Sequence, residues 1–154
     1  MYERILVPTD GSSVANNAVD HAVDLAEQYG ATIHALFVVD PDAVSYSLGS
    51  EQLDRLSQGR FGEMEELEAR ANEATGYVAG VARDHGVEVV EEIRVGKPYE
   101  IIANYADGSD VDLVVIGSHG RSGVRRALLG SVTERVLRST HRPVLVVDYR
   151  EPED

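Results

Sequence analysis

Two segments of the chain hold residues suited to binding an anionic ligand. One runs Gly117-Ser118-His119-Gly120-Arg121-Ser122-Gly123 and leads on to Gly130-Ser131-Val132-Thr133-Glu134. The other is Pro8-Thr9-Asp10-Gly11-Ser12. Ser131 and Glu134 have the spacing of a capping box, which predicts that a helix begins at Ser131. A helix N-terminus offers free N–H groups and roughly half a positive charge, both suited to an anion. The glycines carry no Cβ, so a ligand can approach the backbone closely. Hydroxyls of Ser131 and Thr133 can donate to phosphate oxygens, and Arg121, Arg125 and Arg126 add local positive charge. Plainer roles stand beside these. The glycines could only shape a turn, Asp10 could only cap the first helix, His119 could be an exposed loop residue, and Arg125 and Arg126 a solvated face.

Other phosphate and metal motifs are missing. Gly96-Lys97 is followed by Pro98, so there is no P-loop, and the loop glycines do not have dinucleotide-fold spacing. No zinc-protease motif occurs, His21, His34, His85 and His141 are scattered, and no residue is assigned to catalysis or to a metal.

These segments need elements to carry them. Tyr2–Val7 reads as a buried strand ending at a turn signal. Ser12 or Ser13 caps a helix reaching about Tyr29, with Ala15, Ala18, Val19, Ala22, Val23 and Ala26 on one face and Gly30 as its C-cap. Strands follow at Thr32–Val39, Val87–Val95, Val111–Ile116 and Val144–Val147. Helices are predicted from about Phe61 to His85, from Pro98 through Ala106, and from Ser131 to Arg138. Residues 41–58 show no clear period. The order β-α-β-α-β-α-β-α-β, with apolar strands, predicts an α/β fold: one open parallel sheet of five strands with helices on both faces. Ligands of such folds bind beyond the carboxyl ends of the strands, at the switch in strand order.

Bulk properties narrow the setting. The 154 residues fit one domain, taken as 1–150 with an acidic tail at 151–154. There is no cysteine, so disulfides and thiolate metal sites are excluded. Apolar runs fall far short of the roughly 20 residues needed to span a membrane, and the N-terminus lacks a signal-peptide pattern. A cytoplasmic protein is expected. The formal net charge of −13 repels nucleic acid and anionic membranes. Lys97 is the single lysine. Such a surface fits a protein adapted to high salt or an ordinary acidic protein.

The spacing Gly117-x2-Gly120-x9-Gly130-Ser131 resembles the ATP-binding signature of universal stress proteins. Val114-Val115-Ile116 before it, Pro143-Val144-Leu145-Val146-Val147 after it, and the opening Ile5-Leu6-Val7-Pro8-Thr9-Asp10-Gly11-Ser12 are similar to that family too. The resemblance covers nearly the whole chain. It implies a Rossmann-like fold of the adenine nucleotide alpha hydrolase-like kind and a homodimer joined through Val144–Val147. It also implies ATP, accompanied by Mg²⁺, between the first and fourth strand ends. On that resemblance Pro8, Thr9 and Asp10 meet the adenosine part, and Val39 offers backbone contacts to adenine. Gly117, His119, Gly120, Arg121, Gly130, Ser131, Val132 and Thr133 surround ribose and phosphates. The function implied is a nucleotide-dependent regulatory or protective module in stress tolerance. Two alternatives stay open: a slow ATPase or self-phosphorylating enzyme, and a dimeric protective protein without a ligand.

Overall fold

The structure, a computed structural model, describes residues 1–41, 65–119 and 129–148. Among these residues nine elements follow one another: β1 (Arg4–Pro8), α1 (Ser13–Tyr29), β2 (Thr32–Val39), α2 (Glu65–Asp84), β3 (Val89–Val95), α3 (Pro98–Gly108), β4 (Leu113–Gly117), α4 (Ser131–Ser139) and β5 (Val144–Val147). The strands form one sheet in the order β3-β2-β1-β4-β5, with every neighbouring pair parallel. The α/β expectation therefore holds. Strand starts shift slightly: β3 begins at Val89 rather than Val87, and β4 at Leu113 rather than Val111. Val87 and Val111 are buried all the same, as the apolar approach to each strand.

Local chemistry explains the helix ends. Ser12 caps α1, its Oγ accepting from Ala15 N at 3.2 Å, and Gly30 closes the helix at φ 67°, a conformation that suits glycine. Pro98 opens α3, where a missing N–H costs nothing. Alternation along the strands then divides the core. Ile5, Val7, Ile33, Ala35, Leu113 and Val115 face α1 and α2. Leu6, Leu36, Val114 and Ile116 face α3 and α4. Parallel strands buried on both faces read as continuous apolar runs for this reason.

Two carboxylates fasten the edge of the sheet where the strands begin. Asp112 Oδ2 accepts from Glu3 N at 2.8 Å and from Arg4 N at 3.0 Å, joining the approach to β4 with the start of β1. Asp107 Oδ1 accepts from Thr140 Oγ1 at 2.8 Å and His141 N at 3.1 Å, tying α3 to the connection between α4 and β5. The hydrogen bond from Glu3 N is the leading cause that holds the Asp112 carboxyl below its ordinary value.

His34 on β2 and Tyr105 on α3 are bonded at 2.7 Å between Nδ1 and the phenol oxygen, with their rings edge to face. Burial, and then the Arg4 charge, push the His34 pKa below its ordinary 6.5, against a weaker pull from Glu92. The folded protein thus resists protonating His34. As pH falls below 6.5 the unfolded chain takes up this proton more readily, so folding stability declines. Urea unfolding across about pH 8 to about pH 5 should show a shallower decline in His34→Gln than in the wild type. Equal slopes would remove this role. Gly76 and Gly80 lie on the exposed side of α2, with open space where a Cβ would stand. Gly76→Ala and Gly80→Ala should each stabilise by about 0.5–1 kcal/mol, a rise in thermal midpoint of about 1–4 °C. Gly30→Ala, forced into φ 67°, should lower it; calorimetry separates the signs.

Candidate functional site

The chain moves outward from β1 through β2 to β3, then crosses back to β4 and β5. The carboxyl ends of β1 and β4 therefore part company, and their following segments leave toward opposite faces of the sheet. A cavity of about 440 Å³ opens there. Its lining includes Pro8, Thr9, Asp10 and Ala15 from the β1 side, and Leu36 and Val38 from β2. Pro98 and Ile102 of α3 close one flank, while Ile116, Gly117 and His119 come from the end of β4, and Gly130, Ser131, Val132 and Thr133 from the start of α4. Its size lies within the range of small-molecule sites.

The first turn is built from its own polar groups. Thr9 N donates to Leu36 O at 2.9 Å, extending the sheet by one bond. Gly11 N donates to Thr9 Oγ1 at 3.1 Å, and Ser12 N donates to Asp10 Oδ1 at 2.9 Å. Gly11 takes φ 80°, which lets the chain reverse into α1. Ser12, not Asp10, is the helix cap, and Asp10 lines the cavity.

The second segment differs from expectation at its helix start. Gly130 is the N-cap of α4, Ser131 is the first helical residue, and no side chain caps the helix. The capping box does not form, because Gly130 rather than Ser131 is the N-cap; Glu134 pairs with Arg138 at 2.8 Å one turn on. A helix N-terminus without a side-chain cap retains N–H groups for another acceptor. Thr133 is buried, and its Oγ1 donates to Gly117 O at 2.7 Å. Its one hydroxyl proton is given to that carbonyl, while the residue itself lines the cavity.

The glycines also serve packing. A Cβ on Gly117 would come within 2.8 Å of Val14 Cγ1 and 3.3 Å of the Val14 backbone, so α1 closes onto β4 only because Gly117 has none. A Cβ on Gly130 would stand 3.0 Å from His119 Cα. Val39 is not among the lining residues. Its side chain packs with Phe37, Ala71 and Ala74, and its carbonyl accepts from Gly96 N at 2.9 Å. Its neighbour Val38 faces the cavity instead. Gly120, Arg121, Arg125 and Arg126 lie outside the described residues, as do residues 42–64 and the tail 151–154.

Sequence reading did not single out Ala15, Leu36, Val38, Pro98, Ile102 or Ile116 as ligand contacts. Strand alternation carried the missing signal, since Leu36 and Val38 share a face opposite to Val39. The cavity thus has an apolar wall of Leu36, Val38, Pro98 and Ile102, and a polar end of His119, Gly130 and Ser131. Such a site can hold a flat apolar ring against the wall and an anion at the start of α4.

Comparison with known proteins agrees with this architecture. Residues 1–148 match the model of the universal stress protein family. Universal stress protein MJ0531 of Methanocaldococcus jannaschii is 37% identical, with 96% of this chain and 82% of that protein covered. The solved structure of MJ0577, from the same organism, superposes with a TM-score of 0.78 at 31% identity, over 99% of each chain. A universal stress protein solved in complex with cAMP superposes at 0.66 and 26% identity, over 96% of this chain and 97% of that one. With its strand order, its cavity between β1 and β4 and this match over nearly its full length, the chain belongs to the universal stress protein family.

Proposed function

We propose that the cavity binds an adenine nucleotide, ATP with Mg²⁺, and that occupancy makes the protein a nucleotide-dependent regulatory or protective module in the cytoplasm. One observation carries the reading: an apolar wall and a helix N-terminus face one cavity at the switch in strand order. The base lies against Leu36, Val38 and Ile102, and the phosphates lie toward Gly130 and Ser131. The relative solved with cAMP, an adenine nucleotide, supports the ligand class. Among the described lining residues Asp10 is the charged one, so the phosphates draw on the start of α4 and, in the proposed contact set, on Arg121. Pro8, Thr9, Asp10, Gly117, His119, Gly120, Arg121, Gly130, Ser131, Val132 and Thr133 form the proposed contact set. Mg²⁺ accompanies the phosphates rather than occupying a cage of protein ligands. Among the described residues no helix is long and apolar enough to cross a membrane.

The second part of the proposal is a homodimer through β5. That strand ends the sheet beside β4, and Leu145 on it and Leu137 on α4 are exposed apolar side chains. An edge strand with open backbone groups favours pairing with another strand.

Titration calorimetry with Mg-ATP, AMP and GTP should give one ATP site per chain and a weaker response to GTP. Gly130→Val places methyls against His119 and should weaken ATP binding at least about tenfold, with an unchanged circular dichroism spectrum. Unchanged affinity in that variant would move the site elsewhere. Light scattering at micromolar concentration should give twice the chain mass of 16.8 kDa, and Leu145→Arg should give the single chain. A wild-type monomer would end the dimer proposal.

A further inference from the structure

Three side chains at the ends of β4 and β5 form a polar chain leading into the cavity. Ser118 is buried; its Oγ donates to Asp148 Oδ1 at 2.8 Å and stands 3.1 Å from His119 Nδ1. Proton counting sets the direction of the second bond. A carboxylate only accepts, and a hydroxyl has one proton. That proton goes to Asp148, so His119 Nδ1 carries a hydrogen and donates it to Ser118 Oγ. Nε2 is then the ring atom that gains or loses a proton.

The backbone keeps this chain in place. Ser118 N donates to Val147 O at 2.9 Å, and Gly130 N donates to Ser118 O at 2.8 Å. Ser118 is thereby tied both to β5 and to the entry of α4. His119 lies against Gly130, beside the helix N-terminus that suits an anion.

We propose that Asp148 and Ser118 are positioning residues that hold His119 as its Nδ1–H tautomer, and that Nε2 takes up a proton from water when a phosphate oxygen binds beside it. The proposal rests on the nucleotide reading above. A neutral ring in this tautomer turns a lone pair toward the ligand, which repels a phosphate oxygen. The protonated ring instead donates a charge-assisted bond. Asp148, acting through Ser118, then stabilises the imidazolium. Charged groups on the described elements around the cavity include Asp10 after β1, Asp148 after β5, Glu134, Arg135 and Arg138 on α4, and Lys97 and Glu100 at the start of α3. Glu134 is engaged by Arg138, the Arg135 guanidinium lies over the Tyr99 ring, and Glu100 accepts from the Tyr99 hydroxyl. A nucleoside without phosphate makes no such demand, so proton uptake distinguishes nucleotides from nucleosides.

Nitrogen-15 NMR of the ligand-free protein should show His119 as Nδ1–H, shifting toward Nε2–H in Ser118→Ala. Calorimetry at neutral pH in two buffers of different ionisation enthalpy should show proton uptake with AMP and with Mg-ATP, and none with adenosine. His119→Gln should lose that uptake. From about pH 8 to about pH 6 AMP should bind more tightly to the wild type than to His119→Gln, by up to about tenfold per pH unit for one linked proton. Titration of the phosphate itself is common to both proteins, so the difference isolates His119. An Nε2–H tautomer in the ligand-free wild type, or uptake unchanged in His119→Gln, overturns the proposal. Failure of every nucleotide to bind the folded protein overturns the nucleotide reading together with this one. Binding without His119-dependent uptake overturns this one alone.

Discussion

Parallel strands cannot be joined by tight hairpins, and this constraint shapes the rest of the molecule. Each strand must hand the chain to a crossover before the next begins. Helices α1 and α2 therefore cover one face, and α3 and α4 the other. All five carboxyl ends emerge along one edge of the sheet, while Asp107 and Asp112 fasten the opposite edge. Where the strand order reverses between β1 and β4, the crossovers leave toward opposite faces and the edge is left open. The cavity is a consequence of this topology before any residue in it is chosen.

The residues at that opening are constrained by packing as much as by a ligand. At Gly117 three elements converge: α1 closes against it through Val14, α4 bonds its carbonyl through Thr133, and β5 pairs with it at Val147. Ser118 and Gly130 are bonded one step further on. A side chain at Gly117 would push α1 outward and move Ala15, which lines the cavity. Glycine spacing is thus a requirement of the junction itself.

Charge sets a second requirement. A chain of net charge −13 resists a polyanion at long range, and that repulsion weakens with salt. Attraction must come from groups close to the ligand, where distance favours them over the distant carboxylates. The start of α4 is such a group. In the proposal above His119 is another, gaining a charge when it meets a phosphate. Its link through Ser118 to Asp148 places an acidic residue where it supports a cation rather than opposing an anion directly.

Local chemistry was legible without a structure. Helical spacing in α1, a serine cap at Ser12 or Ser13, the stop at Gly30, and Pro98 at the start of α3 each depend on residues within a turn or two. So does the alternation of strands and helices, and with it the placing of Pro8, Thr9, Asp10 and Gly117 at strand ends. The family resemblance was likewise carried by residues adjacent in sequence. Other features were settled by contacts between distant segments. The N-cap of α4 is Gly130, whose N–H is bonded to Ser118 O, rather than Ser131, a choice that spacing alone leaves open. Val38 rather than Val39 faces the cavity, since the side of β2 that meets α2 is decided by packing. Thr133 gave its proton to a carbonyl at the end of β4, and Asp148 reached His119 through Ser118. Sequence by itself determined the elements and the loops that end them, because propensity and capping act over a few residues. Tertiary structure alone decided which faces and hydrogen atoms remain for a ligand, because packing and hydrogen bonds join groups far apart in the chain.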